Sequence, residues 1–266
     1  MRIRYAVSTM IFWGRETHLS LEQECEFLRS QGLGIELLPF IKGDNDCRYS
    51  RRNWPRLSAA TDGMLVAMRC RDDGPTLEQW REQIECAKLL GANIVADLRS
   101  LRIPEEADVD GCNFTADVIR AAEDNSVKLC LETGRLEILK QVGKRFDSIS
   151  YCLDCGYINL DTESGFRKYV DDLAEKVRHV HLTDNYGRID DHEPPGLRGG
   201  ISRENWEYLL NSLSKYDNEV VGSFEMCPSM PAVMIRQAGE FLFDELKWPN
   251  RPQRASSYAG VSYNPA

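Results

Sequence analysis

Eight short apolar runs recur along the chain at intervals of roughly thirty residues, and most gaps between them hold a helical pattern. The runs are Ile3–Ser8, Gly34–Phe40, Met64–Cys70, Asn93–Leu98, Lys128–Glu132, Ile149–Asp154, Val177–Leu182 and Val220–Met226. Each is too short for a helix and is rich in Val, Ile, Leu or Cys, as a strand buried on both faces requires. Strands that alternate with helices build parallel βαβ units. Eight such units favour a closed barrel over an open doubly wound sheet, and no G-x-G-x-x-G follows the first run to open a dinucleotide site. The predicted fold is α/β: a single (β/α)8 barrel.

The helical intervals carry their own punctuation. Leu19–Gln31 places Leu21, Cys25 and Leu28 on one face, with Ser20 and Gln23 spaced as a capping box. Thr76–Leu90 repeats the device with Thr76 and Gln79, and sets Leu77, Trp80, Ile84 and Ala87 on the core side. Phe114–Glu123, Leu136–Phe146, Phe166–Lys176, Ser202–Ser214 and Ala232–Leu246 supply further helices. The interval Ile41–Asp62 is dominated by Asp, Asn, Arg and Pro, so any helix there is short. The 266 residues suit one barrel, with 1–246 as the domain and 247–266, rich in Pro, Ser, Asn and Tyr, as a C-terminal arm.

Composition excludes several classes. The net charge of −9 argues against a nucleic-acid or membrane surface. No run has the length of a membrane span, and the N-terminus opens directly on a strand instead of a signal peptide. The nine cysteines lack regular spacing, which points to a reducing cytoplasm. Cys152 and Cys155 match C-x-x-C, yet positions i and i+3 of a strand face opposite ways, so a shared metal or redox pair is not expected.

In such a barrel the chemistry sits at the carboxyl ends of the strands. The polar residues there are Arg69, Asp97 with Arg99 beyond it, Glu132, Asp154, His181 and Glu225; Glu36 lies within its strand. Taken singly, a strand-end carboxylate caps the next helix or pairs with a barrel arginine. Glu132, Asp154, His181 and Glu225 end four consecutive strands, however, and together form a plausible four-ligand site for one divalent ion: Mn, Mg, Co or Zn. Clustered carboxylates repel unless a cation or proton stands between them.

The motifs LETG around Glu132, LDCGY around Asp154, HVHLTDNYG around His181, DHEPPGLRGGI around His192 and FEM around Glu225 resemble the xylose isomerase-like TIM-barrel superfamily, closest to its sugar isomerase and epimerase members. The resemblance spans nearly the whole barrel and is strongest from Lys128 to Met226. It implies that Glu132, Asp154, His181 and Glu225 ligate the metal, that Glu132 and Glu225 are the catalytic acid/base pair on opposite faces of the substrate, and that His192 lines the substrate pocket. Where the family often has His three residues after the strand-six Asp, this chain has Tyr157, which changes one substrate contact. The apurinic endonuclease branch needs that His and others near Arg69 and Leu98, so a trinuclear zinc cluster is not expected.

The expected activity is therefore a divalent-metal-dependent isomerase or epimerase of a sugar or keto-sugar, acting through an enediolate that the ion would stabilise. A dehydratase of a keto-polyol such as a keto-inositol, or a non-catalytic carbohydrate-binding barrel, are the alternatives. Arg69, Arg188 and Arg198 are candidates to hold a substrate hydroxyl, carboxylate or phosphate. Trp13, beside Phe12, covers the apolar face of a sugar or packs in the core. Asp184 orients the loop or a ligand. The expected partner is a small sugar-derived substrate, with a homodimer or homotetramer by analogy.

Overall fold

Both capping boxes form, and they fix where the first two long helices begin. Ser20 accepts from the Gln23 backbone N–H while the Gln23 side chain returns to the Ser20 N–H; Thr76 and Gln79 do the same. A computed structural model describes residues 1–13, 19–40, 46–103, 113–132, 134–197, 199–228 and 231–253. In it the chain runs β1 (Arg2–Ser8), α1 (Leu21–Ser30), β2 (Gly34–Leu37), α2 (Trp54–Ala60), β3 (Val66–Arg69), α3 (Leu77–Leu90), β4 (Asn93–Asp97), α4 (Asn113–Asp124), β5 (Leu129–Glu132), α5 (Leu136–Arg145), β6 (Ser150–Asp154), α6 (Cys155–Leu160), α7 (Phe166–Leu173), β7 (Val177–His181), α8 (Arg203–Leu213), β8 (Glu219–Phe224) and α9 (Pro231–Gly239).

The eight strands are parallel and close in sequence order, β8 pairing back onto β1. The chain is a single (β/α)8 barrel. Every apolar run of the sequence becomes a strand, though the strands stop one to three residues earlier than several runs do.

Alternation along each strand sorts side chains into an outer set under the helices and an inner set along the barrel axis. The outer set makes the main core, with Ile3, Ile35, Met68, Ile94, Leu131, Leu153, Val180 and Phe224 packed against Leu28, Trp80, Ile84 and Trp206 of the helices. The inner set is unusual for its small size low down and its polarity higher up. Ala6, Ala67 and Val221 form one buried cluster, and Val95, Cys130 and Cys152 another. Two positions further along the same strands stand Arg69, Asp97, Glu132 and Asp154. Small residues at mid-depth leave space for the buried Glu36 and His179.

Three elements depart from the sequence pattern. The helix over Ala232–Leu246 ends at Gly239 and continues as a π-helical stretch, Glu240–Glu245, which turns Phe241 onto the loop residue Gly196. The six-residue α6 follows β6 without a gap and is too short to leave a periodic signal. Leu77 is half-buried rather than buried. Past α9, the Tyr5 hydroxyl donates to the Pro249 carbonyl at 2.9 Å, and Gly32 lies so close to Gln253 that a Cβ there would fall 2.1 Å from its carbonyl oxygen. The segment 247–253 thus lies against the amino end of β1 and the turn before β2; the remainder of the expected arm, 254–266, lies outside the described residues. Among the described residues no helix is long and apolar enough to cross a membrane.

Candidate metal centre

Glu132, Asp154 and His181 end β5, β6 and β7, and Glu225 is the first residue past β8. Asp154 pairs with His181, and His181 with Ser223, two residues before Glu225 on the same face of β8. All four side chains are buried, and one potential ligand atom from each lies within 4.8 Å of the others. The strand ends singled out by the sequence therefore converge, with one exception. Asp97, across from Glu132, turns its carboxylate to the Ser100 backbone N–H at 2.6 Å and serves as a local turn.

Asp154 combines both roles open to a strand-end carboxylate. One oxygen accepts from the Tyr157 backbone N–H at 3.0 Å and caps α6, leaving the other for the cluster. Tyr157 therefore meets the cluster through its backbone, while its side chain packs half-buried against the core.

The ring of His181 is oriented from behind. Its Nε2 lies 3.1 Å from Glu36 Oε1, and His179 Nε2 lies 3.2 Å from Glu36 Oε2. Nδ1 of His181 consequently faces the carboxylates: it is in contact with Glu132 Oε1 and 3.0 Å from Glu225 Oε2. A carboxylate behind the imidazole is the usual support for a metal-bound histidine. Glu36 and His179 thus join the site, although neither is among the residues expected there from the sequence. The signals available were a lone charge inside the GIEL strand and the H-x-H spacing, which puts His179 and His181 on one face.

Arg69, at the end of β3, enters the same cluster. Its Nη1 is 2.7 Å from Glu132 Oε1, 3.3 Å from Glu225 Oε1 and 3.3 Å from His181 Nδ1.

Electrostatics follow from this crowding. Burial, together with Glu132 and Glu225, pushes the Asp154 carboxyl up to about 7 against the pull of His181. Burial would raise Glu225 as well, but His181 and Arg69 outweigh it and hold Glu225 down at about 2. Burial likewise opposes ionisation of Glu36, and the two histidines overcome it. Burial works against a charged His181, yet Cys152 and the surrounding carboxylates push its pKa up; His179, for which burial prevails, is pushed down.

The donor set fits a divalent cation. Three carboxylates and one imidazole are a hard, oxygen-rich set. Glu225 Oε2 is buried with no hydrogen-bond donor, since its approach to His181 lacks hydrogen-bond geometry. A cation would relieve both that orphaned oxygen and the raised Asp154.

The remaining expected residues are distributed around this centre. His192 has a positive φ of 50° and is half-buried, with Nδ1 3.3 Å from the Glu225 carbonyl and Nε2 3.4 Å from Asp190. Its own carbonyl accepts from Cys227 N–H at 2.8 Å, so the loop after β7 is tied to the segment after β8. Asp184 is turned into this loop: its carboxylate accepts from the N–H groups of Asn185, Gly196 and Ile201, and its backbone pairs with Glu193. Arg188 is exposed on the loop after β7. Trp13 closes the 3-10 turn after β1, half-buried, its indole N–H without an acceptor among the described residues. Arg198 lies outside the described residues. Cys152 and Cys155 belong to different core clusters, and both are free thiols.

Comparison with known proteins agrees with the architecture. The sequence signature described as "Xylose isomerase-like TIM barrel" matches residues 71–244. A D-psicose 3-epimerase structure determined in the presence of D-fructose superposes with a TM-score of 0.61 at 14% identity, over 92% of this chain and 100% of that one. The AsfvAP:AG structure gives 0.55 at 11% identity, over 92% and 98%. At such identities the likeness is one of fold. No curated protein matches the chain in sequence.

Proposed function

The chain belongs to the xylose isomerase-like TIM-barrel family, and we propose that it is a divalent-metal-dependent isomerase or epimerase of a sugar or keto-sugar. The observation that carries this reading is the buried convergence of Glu132, Asp154, His181 and Glu225 at the carboxyl end of the barrel. The fold shared with a D-psicose 3-epimerase structure is consistent with a ketose-like substrate.

Glu132, Asp154, Glu225 and His181 Nδ1 would hold the ion. Once bound, it would polarise a substrate carbonyl and lower the cost of negative charge developing on oxygen. The chain's own groups then handle the proton. Glu225, kept ionised by His181 and Arg69, carries no proton of its own and would accept one from the carbon next to the carbonyl. Glu132 approaches from β5, across β6 and β7 from Glu225, so the pair can serve opposite faces of a bound substrate. Removal of a proton on one face and return on the other inverts the carbon; return at the neighbouring carbon moves the carbonyl instead. The two glutamates can exchange these roles. Glu36 holds the His181 ring, and His192 stands beside Glu225, its Nδ1 3.3 Å from the Glu225 carbonyl.

The test is metal analysis beside solvent exchange. Wild-type protein is expected to bind about one equivalent of Mn2+ and to incorporate solvent deuterium into a ketose. A His181→Ala, Asp154→Ala variant should lose the metal. Glu132→Gln and Glu225→Gln should each lower exchange by about 10²–10⁴-fold. Full activity in both glutamine variants would sink the proposal, and a product 18 mass units lighter would point to a dehydratase instead.

A further inference from the structure

Arg69 places a permanent positive charge among the proposed metal ligands, and only part of its guanidinium is used there. Nη1 makes all three cluster contacts. The other edge, formed by Nε and Nη2, has no acceptor among the described residues. That edge presents two parallel N–H bonds at the spacing of the two oxygens of a carboxylate. Elsewhere in this chain the same edge is filled in that way. Arg71 sets Nε and Nη2 on the two oxygens of Asp73 at 2.9 and 2.6 Å, and Arg56 sets them on Glu22 at 2.7 and 2.8 Å. Arg69 is 24% exposed while its partners Glu132 and Glu225 are 1% and 4% exposed, so of these three side chains it is the one that solvent reaches.

Resting on the metal-dependent reading, we propose that Arg69 is a specificity residue whose Nε–Nη2 edge binds a carboxylate of the substrate, so that the substrate is an acidic hydroxyketone, a keto-sugar acid, rather than a neutral ketose. Two considerations favour this class. A neutral polyol offers hydroxyl donors, for which Glu132, Asp154 and Glu225 already supply acceptors without an arginine. A guanidinium beside a divalent ion is repelled by it, and a substrate anion on the outer edge of the guanidinium offsets part of that excess positive charge. A planar, two-oxygen group also matches a single fork.

The experiment uses manganese-loaded protein and matched ligand pairs that differ in one carboxylate: hydroxypyruvate against dihydroxyacetone, and D-fructuronate against D-fructose. Binding is read by calorimetry. Wild type is expected to bind the acid of at least one pair about tenfold or more tightly than its neutral counterpart. Arg69→Met should lose that preference, read as the ratio of acid to neutral affinity on protein whose manganese content is measured alongside. Arg69→Lys, a point charge without the fork, should retain a fraction of the preference. Equal affinity within both pairs for wild type, or an undiminished preference in Arg69→Met, overturns the assignment. If Arg69→Met does not fold or loses manganese, Arg69→Lys decides: partial loss of the preference supports the fork, and full retention overturns it. The broader reading fails separately. Manganese binding with exchange on neutral ketoses and no acid preference removes only the Arg69 assignment, whereas no manganese binding and no exchange removes the isomerase reading.

Discussion

Oxygen Oε1 of Glu36 stands 3.1 Å from Nε2 of His181, and this contact decides which ring nitrogen faces the three carboxylates. Glu36→Gln keeps the shape but weakens the acceptor. We expect manganese affinity to fall by about 10–100-fold, measured by calorimetric titration. Glu36→Leu should cost more, about 3–5 kcal/mol of stability, because it leaves His179 and His181 buried without their anion. Unchanged manganese affinity in Glu36→Gln would show that the ring is held by packing alone.

Asp154 gives the protein a pH signature with a defined sign. Its folded-state pKa, near 7, is above the ordinary 3.8, so the metal-free fold favours the protonated form. Its effect on metal-free stability is therefore absent at low pH and becomes destabilising as pH rises between those two values. Manganese affinity should run the other way, increasing as pH rises toward 7. Asp154→Asn removes the charge. It should raise the metal-free melting temperature at pH 8 by several degrees, at about 2–4 °C per kcal/mol, and abolish the stabilisation that manganese gives wild type. Thermal melts at pH 5 and 8, with manganese and with chelator, check both halves.

The two acid/base glutamates should separate under mutation. Glu225→Gln removes the carboxylate that Arg69 and His181 hold ionised, so pre-equilibrated deuterium exchange should fall while the bound metal, still held by Glu132, Asp154 and His181, is weakened rather than lost. Glu132→Gln also removes the closest Arg69 contact, and should loosen the guanidinium as well as the proton transfer. Equal manganese occupancy with unequal exchange rates, read by metal analysis and mass spectrometry on the same samples, is the expected result.

The loop after β7 depends on a glycine. A Cβ at Gly200 would fall 1.4 Å from the Asn185 carbonyl oxygen, which is backbone and must itself move. Gly200→Ala should therefore displace the loop that carries His192 while leaving strand-borne Glu132, Asp154 and His181 in place. The expected outcome is near-normal manganese binding with ketose affinity lowered by about tenfold or more. Parallel loss of both would mean that the loop also holds Glu225 in position.

The pattern of the site was legible where chemistry interrupts an apolar strand at its end. Glu132, Asp154, His181 and Glu225 each do so, and strand spacing sufficed to bring them to one rim. Glu36 and His179 were harder to assign. They sit in mid-strand, where a polar residue in a sequence reads as an exception, and only the closed barrel shows that both strands point them at the same axis. The fork of Arg69 was beyond the sequence for a different reason. Which edge of a guanidinium is occupied depends on neighbours from β5 and β7 that are remote in the chain. Capping boxes at Ser20 and Thr76 were readable because their partners are three residues away. The break at Gly239 was not, since an apolar pattern runs through it and the contact that the wider turn makes, Phe241 on Gly196, joins residues remote in the chain.

The small residues at mid-depth, Ala6, Ala67, Val95, Cys130, Cys152 and Val221, carry a lesson for anyone who would transplant this centre. Copying the four rim residues onto another eight-stranded scaffold would import the ligands without the floor they stand on. In a host with a full layer of Ile, Leu or aromatic side chains beneath the rim, Glu36 and His179 have nowhere to go, and the imported histidine would be free to rotate. A working graft would have to excavate the recipient first and decorate it second.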